Sequence, residues 1–80
     1  MSTVRVEFTI EPFVDAHPGA HVQAAWQAVR DRGCELTTGP FSSEAIVPAV
    51  FADAVVSDVV RAAMAHGAQR VSVQIEQIDA

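Results

Sequence analysis

Val4-Arg5-Val6-Glu7-Phe8-Thr9-Ile10-Glu11 alternates an apolar with a charged or polar residue throughout. That period of two marks a strand with one buried and one polar face, here over residues 3–11. Val71-Ser72-Val73-Gln74-Ile75-Glu76 repeats the pattern and predicts a last strand over 70–78. Between these two the period changes. Val22, Ala25, Trp26 and Val29 recur at i, i+3, i+4 and i+7, which predicts a helix over 19–31. Val55, Val56, Val59, Val60, Ala63 and Met64 give a second helix, over 51–66, a broad apolar face. Gly33 and Gly67 follow the two helical patterns as left-handed C-caps.

The middle of the chain holds two shorter strands. Residues 34–39 carry Leu36 as their one large apolar side chain, and Gly39-Pro40 marks a turn. Residues 44–50 form the third strand, and Pro48 within it implies an edge strand or the strand's end. The order is therefore βαββαβ. It points to one α+β domain, a ferredoxin-like sandwich with two helices on one face of a four-stranded antiparallel sheet. The other face of the sheet is left to water, a ligand or a partner.

Size and charge narrow the function. A chain of 80 residues buries only about 60–65% of its unfolded surface. Association, as a homodimer or homotetramer, would add to a thin core. Cys34 is the single cysteine, so no disulfide forms within a chain. One cysteine and no leader-like start suit a reducing, cytoplasmic setting. No apolar run approaches the ~20 residues that span a bilayer, so no membrane partner is expected. The net charge of −5, with no lysine and five scattered arginines, argues against nucleic acid.

Several residues could carry chemistry. Glu7, Glu11 and Glu76 belong to polar strand faces, where a solvated or interface role is the plain reading. Glu11 differs, because it ends its strand beside Pro12 and Phe13. A carboxylate next to an aromatic can hold a cation or a ring amine. His17 and His21 are four apart, but Pro18 and Gly19 lie between them and no third ligand is evident. His66, in a last helical turn, suits the helix dipole. Cys34 follows a helix C-terminus, where the dipole opposes a thiolate, and reads as a half-buried structural thiol. No phosphate loop, Ser-His-Asp spacing or Cys-x-x-Cys pair is present. Trp26 reads as core, with pocket lining as the alternative. Thr37-Thr38-Gly39-Pro40-Phe41-Ser42-Ser43 places four hydroxyls and an aromatic around a kink. It is either a decorated turn or a pocket that stacks and hydrogen-bonds a small heterocycle.

Three stretches taken together resemble the small thiamine-binding proteins. They are residues 6–13 (Val-Glu-Phe-Thr-Ile-Glu-Pro-Phe), 38–42 (Thr-Gly-Pro-Phe-Ser) and 67–74 (Gly-Ala-Gln-Arg-Val-Ser-Val-Gln). The resemblance spans nearly the whole chain, in the same order. It implies a ferredoxin-like fold, a homo-oligomer, and non-catalytic capture of thiamine or its hydroxymethylpyrimidine half, with no cofactor. Where that family follows Gly-Pro-Phe with Gly-Thr and later a Glu-Gly pair, this chain has Ser42-Ser43-Glu44 and Val47-Pro48-Ala49.

Such a ligand suits the residues. Phe41 or Phe13 could stack on the pyrimidine, and Thr38, Ser42 and Ser43 could hydrogen-bond its edge. Glu11, Glu44 or Trp26 could face the thiazolium cation. Two other classes remain open. One is an interaction module that pairs through its sheet and has no small ligand. The other is a small dimeric enzyme, although there is no tyrosine and no histidine in a predicted strand.

Overall fold

The computed structural model describes residues 2–12 and 17–79. Its elements are β1 (Thr3–Glu11), α1 (Ala20–Asp31), β2 (Glu35–Thr38), β3 (Ser43–Pro48), α2 (Ala52–Ala65) and β4 (Arg70–Gln77). A single 3-10 turn, Ala49–Phe51, leads into α2. The sheet order is β2-β3-β1-β4, with every pair antiparallel. This is the ferredoxin-like α+β sandwich that the sequence predicts.

The alternation in β1 is realised residue by residue. Val4, Val6, Phe8 and Ile10 are buried under the helices, with Ala45 and Val47 of β3 beside them. Ala25 and Val29 of α1 and Val55, Val59 and Ala63 of α2 close the core from above. Small side chains on both helices let them approach the sheet closely. Phe8 is the one large aromatic fully buried among the described residues.

Both helices end in the same way. Gly33 has φ +72° and Gly67 φ +99°, the left-handed region. After α1, Gly33 N–H donates to Arg30 O and Cys34 N–H to Val29 O. After α2, Gly67 N–H donates to Met64 O and Ala68 N–H to Ala63 O. Each pair of bonds is a Schellman motif, satisfying two carbonyls that the helix itself leaves open. His66 Nδ1 donates to Ala62 O at 2.8 Å, so the ring caps the last turn as well.

Of the two readings of Pro48, the strand's end is the one realised. Pro48 does not lie on an edge strand, because β3 sits between β2 and β1. It is tolerated because it is the last residue of β3, and the chain turns there, with Ala49 N–H bonded to Ser2 O. Pro18 lies one residue before the N-cap of α1. Gly19 is the N-cap residue, and its carbonyl accepts from Val22 and Gln23 N–H.

An ion pair joins the two helices. Arg32, just past α1, donates from Nε to Asp58 Oδ2 of α2 at 2.6 Å. That hydrogen bond is the main reason the Asp58 carboxyl sits below its usual range; partial burial opposes it, and the charges of Arg32 and Arg61 add to it. The same bond raises the Arg32 guanidinium. No helix among the described residues is long and apolar enough to cross a membrane.

Candidate functional site

A cleft of about 220 Å³ opens between the start of α1 and the β2–β3 turn. Its floor is Phe8 and Ile10 of β1. One wall is His17, Pro18, Gly19, Val22 and Trp26, and the other is residues 39–43. The floor follows from the β1 pattern, since the residues that face the helices also face the gap that α1 leaves at its N-terminal end.

Trp26 and Ser43 join the two walls. Trp26 Nε1 donates to Ser43 Oγ at 2.7 Å. Ser43 is buried, and its hydroxyl, having accepted from the indole, retains its own proton to donate. Trp26 is half-buried, so its ring both packs on the core and lines the cleft. Phe41 stands at the rim, 68% exposed. The turn below it is closed by Gly39 N–H donating to Ser42 O at 2.8 Å. A Cβ at Gly39 would lie 3.2 Å from that carbonyl oxygen, so the turn is built for the smallest residue. Ser42 Oγ donates to Glu7 Oε2 at 3.4 Å, linking the turn to the polar face of the sheet.

His21 shapes the cleft from behind. It is buried, and its Nε2 donates to Pro12 O at 2.7 Å. The bond ties the end of β1 to the first turn of α1. The ring lies over Gly19, where a Cβ would come within 2.6 Å of Cε1. Gly19 is therefore required by the histidine, and the two together set where residues 17–19 border the opening. Gln23 Nε2 donates to Pro18 O at 2.9 Å and fixes the same segment from outside. The sequence pattern alone put Val22 on the buried stripe; the structure buries His21 instead and turns Val22 to the cleft.

Of the eight residues singled out from sequence, Trp26, Phe41, Ser42 and Ser43 meet in this cleft. Phe13 lies outside the described residues. Thr38 sits opposite Ser43 in the β2–β3 ladder and is exposed, but it is not among the lining residues. Glu11 and Glu44 are on the other face of the sheet. Glu11 pairs with Arg70 at 3.5 Å, and Glu44 lies 3.9 Å from Arg5. Arg5 also binds Glu76, so the open face is a polar array of four glutamates and two arginines around Gln74. The reason is parity: Ser43 and Glu44 are neighbours in a strand, so their side chains point to opposite faces. His17 lies at the cleft and His21 is occupied with Pro12 O, and no group of three metal-ligating side chains exists among the described residues.

Sequence reasoning did not single out Phe8, Ile10, Gly19 and His21 as site residues. The strand pattern did show which way Phe8 and Ile10 point, but not that they border a cleft beside the start of α1.

No protein-family model matches this chain, and no curated protein matches it. Among solved structures, it is similar to a domain of unknown function, DUF77, from Bacillus cereus, with a TM-score of 0.70 and 20% identity, over 99% of this chain and 78% of that one. At that identity the likeness establishes the fold and nothing finer.

Proposed function

We propose that this protein binds thiamine, or its hydroxymethylpyrimidine half, in the cleft between α1 and the β2–β3 turn, and performs no chemistry on it. The observation that carries the reading is the Trp26–Ser43 hydrogen bond with Phe41 across the opening. It supplies a flat aromatic wall, an oriented hydroxyl donor and a second ring in one small space. The cleft volume, about 220 Å³, lies just below the ~300–1,000 Å³ of pockets that enclose drug-sized ligands. It suits one ring held inside with the rest of the ligand emerging at the rim.

The aminopyrimidine would lie against Trp26 and accept from Ser43. The thiazolium would then meet the exposed face of Phe41, an attraction of ~0.5–2 kcal/mol. Glu11 and Glu44 have no part in this arrangement, since both are engaged on the other face. Among the described lining residues His17 is the one titratable side chain, which fits capture better than turnover. Sequestration, delivery or sensing, by a cytoplasmic homo-oligomer, is the role such a site would serve.

Calorimetric titration with thiamine, hydroxymethylpyrimidine and thiamine phosphate tests this. One site per chain with a micromolar Kd, about −8 kcal/mol, is the expected result. No heat and no thermal shift at millimolar ligand would overturn it.

A further inference from the structure

The two edges of the sheet are unlike. β2 is four residues long and carries Glu35, so it offers little to pair with. β4 is eight residues long, with no proline, no lysine and no glycine between Arg70 and Gln77. Long regular edges of this kind are templates for another strand, and proteins usually blunt them. Ile78 N–H donates to Thr3 O, so by alternation the even-numbered β4 residues turn their backbone groups to β1. Val71, Val73, Ile75 and Gln77 turn theirs outward.

Apolar surface lies along the same edge. Ile75 shares the helix-facing side with Val6, its partner in register, yet it is 52% exposed. On α2, Asp58, Ala62 and Ala65 face α1. At 100° per residue, Val60 and Met64 lie on the opposite flank, above β4, and both are exposed.

We propose that this edge pairs antiparallel with the same edge of a second copy of the chain, about a two-fold axis at Val73. A two-fold axis normal to the sheet keeps all four helices on one side, so opposed residues must share a face. Two registers then overlap seven of the eight β4 residues. In the one centred on Val73, Arg70 faces Glu76 of the second copy, Val71 faces Ile75 and Ser72 faces Gln74. Charge meets opposite charge twice and apolar meets apolar three times, the pairing that stabilises antiparallel neighbours. In the register centred on Gln74, Val73 faces Ile75, but Val71 faces Gln77, Glu76 faces Ser72, and Arg70 is left beside Ile78. The strand's own charges therefore select the first. That register also makes Val71–Ile75 and Val73–Val73 the hydrogen-bonded pairs, using the outward backbone groups. It draws Val60 and Met64 of the two copies together over an eight-stranded sheet, in an isologous contact. None of the described residues lining the cleft belongs to β4 or α2, so this assembly stands or falls apart from the ligand reading.

Cysteine pairing reads both the contact and its register. In a Cys34→Ser background, Ser72→Cys and Gln74→Cys are placed on separate chains; both positions are exposed. In the Val73-centred register they face one another as a non-hydrogen-bonded pair, with Cα atoms ~4.5 Å apart. That is within the ~4.4–6.8 Å a disulfide spans. Like positions would be diagonal, ~7–8 Å apart. The expected result is a covalent dimer when the two variants are mixed and gently oxidised, little from either alone, and a dimer of the parent chain by sedimentation. Efficient cross-linking of Gln74→Cys or Ser72→Cys with itself would overturn the register. A parent chain that stays monomeric at high micromolar concentration, or a dimer that none of the cysteines cross-links, would overturn the interface.

Discussion

Trp26 of α1 and Ser43 of β3 are joined by a 2.7 Å hydrogen bond from indole Nε1 to hydroxyl Oγ. It spans the cleft wall where helix and sheet part, so it both holds the cleft's shape and orients the serine proton. Ser43→Ala leaves the indole N–H without its partner at a part-buried site, which costs ~1–3 kcal/mol. Trp26→Phe removes the donor and some packing area. The double variant should therefore lose less than the two single losses combined, by about 0.5–1.5 kcal/mol. Urea denaturation of the four proteins measures that difference, and strict additivity would mean the bond does not form in solution.

Gly19 and His21 make a second coupled pair. The imidazole occupies the space that a Cβ at Gly19 would need. Gly19→Ala should push the ring off Pro12 O and lower the melting temperature by several degrees, since 1 kcal/mol is worth ~4–8 °C in a domain of this size. In a His21→Ala background the same substitution should be nearly neutral. A second drop of equal size there would show that Gly19 is needed for another reason.

The two faces of the sheet predict different ligand effects. Phe41→Ala should weaken thiamine more than hydroxymethylpyrimidine, because only thiamine carries the cation. The difference should fall within ~0.5–2 kcal/mol. Glu11→Gln should change neither affinity by more than a small factor, because Glu11 pairs with Arg70 on the face away from the cleft. A selective loss of thiamine in Glu11→Gln would place the cation on the open face instead.

The Arg32–Asp58 pair gives a pH-dependent term. Its folded-state carboxyl titrates below the ordinary value, chiefly because Arg32 donates to it. The stabilisation is therefore complete above the unfolded carboxyl's pKa of ~3.9, and it fades as pH falls through the lower folded value. Asp58→Asn should melt slightly below the parent at neutral pH, and the gap should close in strong acid. The gap stays small because the pair is solvent-screened. Thermal melts of both proteins across that range decide it, and a gap that widens in acid would contradict the assignment.

Much of the fold was legible because it rests on local periodicity. Period two in Val4–Ile10 and Val71–Ile75 states which side chains face the helices, whatever those strands pair with. Gly33 and Gly67 announce the helix ends because a left-handed residue is needed there and glycine meets no steric penalty. Pro48 shows the limit of such reading. A missing N–H says that pairing stops, and the chain alone leaves open whether it stops at an edge or at a strand's end.

The site was legible only in part, for a physical reason. Trp26, Phe41, Ser42 and Ser43 were recognisable as residue types suited to a ring ligand, and they do converge. Glu11 and Glu44 were equally suitable by type, yet the alternation of each strand sends them to the opposite face, where arginines distant in sequence claim them. His21 gave no local sign of its bond to Pro12 O. The order of elements, the buried face of each strand and the glycine C-caps follow from the chain's local pattern, since these depend on neighbours within a few residues. Which side chains meet across the cleft, and which carboxylates are held away from it, was decided by the tertiary structure, because those contacts exist only once helix and strands are packed.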